Sequence, residues 1–165
     1  DTHSVAAVLE HQAKALLRRY GIPTTTARLA KNAQEALALA REAKGLVAMK
    51  IASPEIVHKA EAGGVRLNVE AADAEAVFAE IKAAVGAKHI EGVIIERMEK
   101  PGYEVIVGAV LDPIYGPVVM CGTGGTGVEA KADVAFRLAP LEEAEARELA
   151  RGAAQSRRRR VAESP

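Results

Sequence analysis

Glycines and prolines interrupt the apolar patterns of this 165-residue chain at short intervals, so the fold has to be assembled from many brief elements. Val5, Val8, Leu9, Ala13, Leu16, Leu17 and Tyr20 recur at helical spacing, with Glu10, His11, Lys14 and Arg18 mostly on the other side, and Gly21 stops the pattern. Ile22-Pro23 and Thr24 to Thr26 read as extended or turn-like. Asn32 then caps a helix over Ala33 to Lys44 that Gly45 ends. A short buried strand, Leu46 to Ile51, is broken by Ser53-Pro54, and the paired glycines Gly63-Gly64 lead into the alternating strand Val65, Leu67, Val69. Ala74 to Val85 is helical. Gly92 to Met98 and Tyr103 to Leu111 read as a hairpin across Pro101-Gly102, followed by a strand over Gly116 to Cys121, a strand over Val134 to Leu138 and a helix over Leu141 to Ala150. The predicted class is α/β, of the α+β kind with antiparallel pairs: mixed sheets with helices. From Arg151 the apolar period is gone, and residues 151–165, with Arg157 to Arg160, read as a disordered basic tail.

Composition narrows the functions open to such a chain. Five aromatics, Tyr20, Phe78, Tyr103, Tyr115 and Phe136, leave the core to Ala, Val, Leu and Ile and offer no stacking platform for single-stranded nucleic acid. The 22 basic and 22 acidic side chains cancel, which argues against a generic polyanion or membrane-surface binder, and no apolar run approaches the roughly 18 residues of a membrane span. Cys121 is the only cysteine, so an internal disulfide is impossible and a four-ligand zinc site is not expected; a reducing cytoplasm fits best.

The densest chemistry lies between Lys50 and Val65, where Lys50, Ser53-Pro54, His58-Lys59 and Gly63-Gly64 combine cations, an imidazole and flexible backbone. Phosphoryl transfer uses such parts, because lysines and backbone N–H groups stabilise charge on phosphate oxygens while an imidazole serves as nucleophile. On the residues alone the plainer account leads, since a lone histidine is more often a surface or core side chain. The cluster Gly122 to Gly127 lacks the Gly-Lys-Ser/Thr ending of a Walker loop and the context of a dinucleotide fingerprint, and a simple glycine-rich turn explains it as well.

Several segments in order carry a resemblance. These are Glu10 to Leu17 with Tyr20-Gly21-Ile22-Pro23, Lys50-Ile51-Ala52-Ser53-Pro54-Glu55-Ile56-Val57-His58-Lys59 with Gly63-Gly64-Val65, and Glu91-Gly92-Val93 through Glu96 and Met98. Glu104, Gly108, Asp112-Pro113, Gly116-Pro117-Val118, Gly122 with Gly124-Gly125, Val128-Glu129 and Asp133 to Leu141 follow. Over residues 8–150 the chain resembles the ATP-grasp domain, or β subunit, of the ADP-forming acyl-CoA synthetases of the acetyl-CoA synthetase type. That domain is also found fused in certain bacterial protein acetyltransferases.

The resemblance implies ATP or ADP with Mg2+ as cofactors. Lys50 would lie on the nucleotide phosphates, Gly63 and Gly64 in a loop closing over them, and Gly124 and Gly125 in the second glycine cluster of the nucleotide site. Glu96 to Met98 would form the adenine hinge, Met98 packing on the base, and Glu104 would reach the ribose hydroxyls. His58 would relay a phosphoryl group to a phosphohistidine on a CoA-binding ligase α subunit or fused domain holding the CoA thioester, with Lys59 neutralising that group. Beside these stand plainer roles: a snorkelling strand-end lysine for Lys50, a solvated strand residue for Glu104, core packing for Met98. Glu129, Asp133 and Arg137 match the motif without an assignable role.

Departures from the family accompany the matches. The family's domain continues through an acidic and asparagine-containing segment that supplies metal ligands; nothing after Ala150 matches it, so the domain is expected to be incomplete at its C-terminus and the metal ligands are unknown. Ala132 replaces the family lysine, with Lys131 one place early. The rival readings are a non-catalytic nucleotide-sensing domain of a fused acetyltransferase and an inactive fragment.

Overall fold

The computed structural model describes residues 8–56, 58–86, 89–102, 104–124 and 134–152. The chain divides into two compact units, Asp1–Lys100 and Pro101–Pro165. The α+β class expected from the sequence is what forms.

The first unit is built on a four-stranded sheet of β1 (Ala27–Ala30), β2 (Val47–Ala52), β3 (Val65–Val69) and β4 (Gly92–Arg97), in the order β1-β4-β2-β3. All three pairings are antiparallel. Side chains alternate between the two faces of a strand. Val47, Met49 and Ile51 of β2 and Val93 and Ile95 of β4 accordingly enter one core, packed with Ala36 and Ala40 of α2 (Ala33–Glu42) and Phe78 and Ile81 of α3 (Ala74–Val85). Met49, Ile51 and Ile81 are fully buried, and each such side chain contributes on the order of 1.5–3 kcal/mol. Lys50 and Ala52 of β2, with Ile94 and Glu96 of β4, take the other face, where Leu9 closes a small apolar cluster with Ala52 and Ile94.

Helices α1 and α2 start where first-turn side chains satisfy free backbone donors. At α2 the Asn32 side chain accepts the Glu35 N–H, and Glu35 accepts the Lys31 N–H in return, both at 2.8 Å. Helix α1 covers Glu10–Arg19 instead of starting at Val5: Leu9 is extended and buried, its N–H donating to the Gln12 side chain at 3.3 Å. The start expected at Val5 lies in residues 1–7, outside the described residues.

Two expectations are corrected. Residues 27–30 form β1, absent from the sequence reading because Ala27-Arg28-Leu29-Ala30 carries no alternating apolar pattern. The run Gly92 to Met98 does not pair with the following strand, because β4 has both edges filled, by β1 and by β2. Pro101-Gly102 therefore links two sheets instead of turning a hairpin.

In the second unit β5 (Val105–Asp112), β6 (Gly116–Thr123) and β7 (Val134–Leu138) form an antiparallel sheet in that order. The hairpin between β5 and β6 turns on Asp112, whose carboxylate accepts the Ile114 and Tyr115 N–H groups at 2.8 Å. Residues 143–152 form a helix, α4, that starts after Glu142, whose N–H donates to Glu145 at 2.9 Å; Leu149 packs on Cys121, with Val119, Ala135 and Leu141 around them. Residues 151 and 152, assigned to the tail, continue this helix, and the rest of the expected tail lies outside the described residues. Among the described residues no helix is long and apolar enough to cross a membrane.

Candidate functional site

The first unit gathers a charged cluster on the sheet face bearing Lys50 and Glu96. In the β2–β4 register Lys50 opposes Ile94 and Ala48 opposes Glu96, which places Lys50 and Glu96 diagonally on one face, within reach of each other. The Lys50 ammonium donates to Glu96 Oε2 at 2.9 Å and to Glu10 Oε1, from the first turn of α1, also at 2.9 Å. Lys14, one turn after Glu10, reaches Glu10 Oε1 at 3.2 Å, donates to Thr25 Oγ1 at 2.9 Å and pairs with Glu96. The Thr25 hydroxyl donates to Glu96 as well. Lys59 arrives from the segment between β2 and β3 and contacts Glu10 Oε2 at 3.3 Å.

Three ammonium groups thus face two carboxylates, leaving one positive charge over. Burial pushes the Glu10 carboxyl up, but hydrogen bonds and charge from Lys50 and then Lys14 outweigh it and hold the group at about 2, below its ordinary 4.5. Burial lowers Lys50, and its bonds to Glu10 and Glu96 reverse this, raising the ammonium above the ordinary lysine value. Glu96 is held below the usual carboxylate value: Lys14, Thr25 and Lys50 outweigh the upward push of its burial. A surplus of lysine donors, from β2, α1 and the segment between β2 and β3, is suited to phosphate oxygens, which accept the same charge-assisted bonds as carboxylates.

The segment carrying Lys59 is held by close backbone packing. Gly64 donates its N–H to Lys59 O and accepts the Ile51 N–H, each at 2.7 Å, and a Cβ on Gly64 would stand 2.5 Å from Ile51 Cγ2. Gly63, at φ +72°, donates its N–H to Ala60 O at 3.0 Å. Both glycine amides are therefore engaged within their own turn. His58 is exposed beside Lys59, its carbonyl accepting the Ala62 N–H at 3.1 Å.

The structure brings Lys50, Lys59 and Glu96 together and sets His58 next to them in the chain. Met98 is half-buried, and its N–H donates to Leu46 O at 2.9 Å. In the second unit Glu104 is exposed and its carbonyl accepts the Gly124 N–H at 2.9 Å, extending the β5–β6 ladder by one step. Arg137, on β7, donates to Phe136 O at 2.9 Å. Gly125, Glu129 and Asp133 lie outside the described residues. The sequence reading gave no role to Glu10, Lys14 or Thr25. The signal for the first two was their i, i+4 spacing on one helix face, and for Thr25 there was none, because its place depends on β1. Among the described residues no group of three or more His, Cys, Asp or Glu comes together to hold a metal ion.

Residues 3–163 match the ATP-grasp domain family. The β subunit of an acetate–CoA ligase (ADP-forming) of Pyrococcus furiosus is 43% identical over 150 residues, covering 87% of this chain and 64% of the subunit. The acetyl-coenzyme A synthetase 1 of Candidatus Korarchaeum cryptofilum, solved with coenzyme A and Ca-AMPCP, superposes with a TM-score of 0.81 at 41% identity, over 86% of this chain and 64% of that one. A second structure of that synthetase, with coenzyme A and Mg-AMPPCP and a phosphohistidine segment pointing towards the nucleotide binding site, gives 0.72 at 37% identity, over 90% of this chain and 64% of that one. The chain thus spans a little under two thirds of the length of these relatives, at 64%.

Proposed function

This chain belongs to the ATP-grasp domain family, and we propose that it is the nucleotide-binding portion of an ADP-forming acyl-CoA ligase, in which Lys50 and Lys59 hold the phosphates of ATP or ADP. The observation that carries this reading is the convergence of the Lys50 and Lys59 ammonium groups, 2.9 and 3.3 Å from the two oxygens of one carboxylate, in a cluster with one positive charge in excess. Likeness to relatives that are acetate–CoA ligases, and to a synthetase solved with nucleotide analogues, supports the same class.

The chemistry assigned to this chain is a phosphoryl relay. An imidazole nitrogen of His58 attacks the γ-phosphorus of ATP; a P–N bond forms as the bond to the β,γ-bridging oxygen breaks, and ADP leaves with the electron pair. Lys59, adjacent in the chain, offsets charge on the transferred group. The phosphoryl group passes on to a histidine of a CoA-binding ligase subunit or fused domain, where acid and CoA are joined and phosphate released; all steps run in reverse to make ATP. Such a partner is in keeping with the phosphohistidine segment that points towards the nucleotide site in the Korarchaeum synthetase.

The test is direct. With ATP labelled on the γ-phosphate, the chain should acquire acid-labile phosphate, and His58→Ala should abolish the label while ATP affinity stays within about twofold, since an exposed imidazole adds little to binding. ATP binding lost together with the label would remove the relay role from His58. Binding that persists in the wild-type chain without any label would favour a nucleotide-sensing domain.

A further inference from the structure

Glu10 receives more cations than any other acidic side chain among the described residues: Lys50 at 2.9 Å and Lys14 at 3.2 Å on Oε1, and Lys59 at 3.3 Å on Oε2. An anion held by three ammonium groups on a sheet surface has the surroundings of a bound phosphate. Resting on the reading of Lys50 and Lys59 as phosphate ligands, we propose that the Glu10 carboxylate is a placeholder, occupying the position that a phosphate of the nucleotide takes and leaving it when the nucleotide binds.

The two carboxylates of the cluster differ in how firmly they are held. Glu96 has a side chain only 6% exposed, sits on the inner strand β4 and keeps three partners, Thr25, Lys14 and Lys50. Glu10 is 24% exposed and stands at the first position of α1, a helix with no buried residue, so its rotation away disturbs no core packing. An ammonium has three donors. With Glu10 withdrawn, Lys50 retains Glu96 and Lys14 retains Glu96 and Thr25, and their freed donors, with that of Lys59, turn to phosphate oxygens. The exchange replaces charge-assisted bonds with bonds of the same kind. It also removes a negative charge that would otherwise repel the incoming anion.

The alternative role for Glu10 is to position the lysines, and the two roles predict opposite signs. Titration calorimetry of the wild-type chain, Glu10→Gln and Glu10→Ala with inorganic triphosphate, ATP and adenosine separates them. The placeholder predicts that both variants bind triphosphate and ATP more tightly than wild type, by about tenfold, while adenosine is unaffected. Triphosphate affinity that is unchanged or lower in both variants, in chains that still melt cooperatively, overturns the proposal, as does the absence of triphosphate binding in either. Lys50→Ala keeps that failure apart from failure of the underlying reading: if it abolishes ATP binding, the phosphate site stands without the placeholder, and if ATP affinity is indifferent to it, both fall.

Discussion

Lys50 sits 2.9 Å from each of two carboxylates, and the pairing leaves a pH signature on the less buried one. The folded Glu10 carboxyl is held at about 2 against an ordinary 4.5, so its share of stability is complete above about pH 4.5 and is lost as pH falls towards 2. Glu10→Gln should therefore destabilise the chain at pH 6 by about 1–3 kcal/mol, less than the full shift implies because the group is partly solvated. The gap in urea-denaturation stability between wild type and variant should close between pH 4.5 and 2. A gap that stays constant over that window would mean that the Glu10 charge is not what the variant removes. At this scale the sequence singled out Lys50, Lys59 and Glu96 and gave no role to Glu10, Lys14 or Thr25. Lys50 and Lys59 stand in a recognisable motif, whereas Glu10, Lys14 and Thr25 meet them only through the docking of α1 and the pairing of β1.

Among the elements, β1 shows most clearly why one part of the fold could not be read from local pattern. Its four residues have neither an alternating apolar pattern nor strong β propensity, and they are recruited by the edge of β4, whose Val93, Ile94 and Ile95 are buried. That edge is reached only because residue 92 has no side chain: a Cβ there would stand 2.3 Å from Ala30 O, a backbone atom that cannot step aside. Gly92→Ala should cost about 1–3 kcal/mol through displacement of β1. Gly116→Ala, at φ +77° with nothing within 4 Å of the added carbon, should cost only about 1 kcal/mol of backbone strain. Equal losses in thermal denaturation would mean that β1 does not depend on the close approach. The helices α2 and α3 were legible because each carries its own signal, the Asn32 cap in one and the recurring Ala74, Phe78, Ile81 and Val85 in the other. The strand 92–97 was legible as a strand but not in its partners, since a run buried on both faces gives no sign of which edge is taken.

At the scale of the whole molecule, the second unit exposes large apolar side chains on its sheet, among them Val107 at 70%, Leu111 at 81% and Phe136 at 57%. Surfaces of this kind bind apolar dyes and associate. The folded chain should enhance the fluorescence of an apolar dye, and Val107→Lys should reduce both that signal and concentration-dependent light scattering without lowering the melting temperature by more than about 2 °C. A variant that scatters as much as wild type would show that this sheet does not drive association. In the first unit, the Lys50 cluster is proposed to be a site for nucleotide phosphates. The most direct measurement is the affinity of the chain for ATP and for adenosine, by calorimetry, in wild type and Lys50→Ala. The account predicts that the substitution weakens ATP by at least about tenfold and leaves adenosine unchanged, because only the phosphates meet the lysine. Equal ATP affinity in the two chains, both folded, would contradict it.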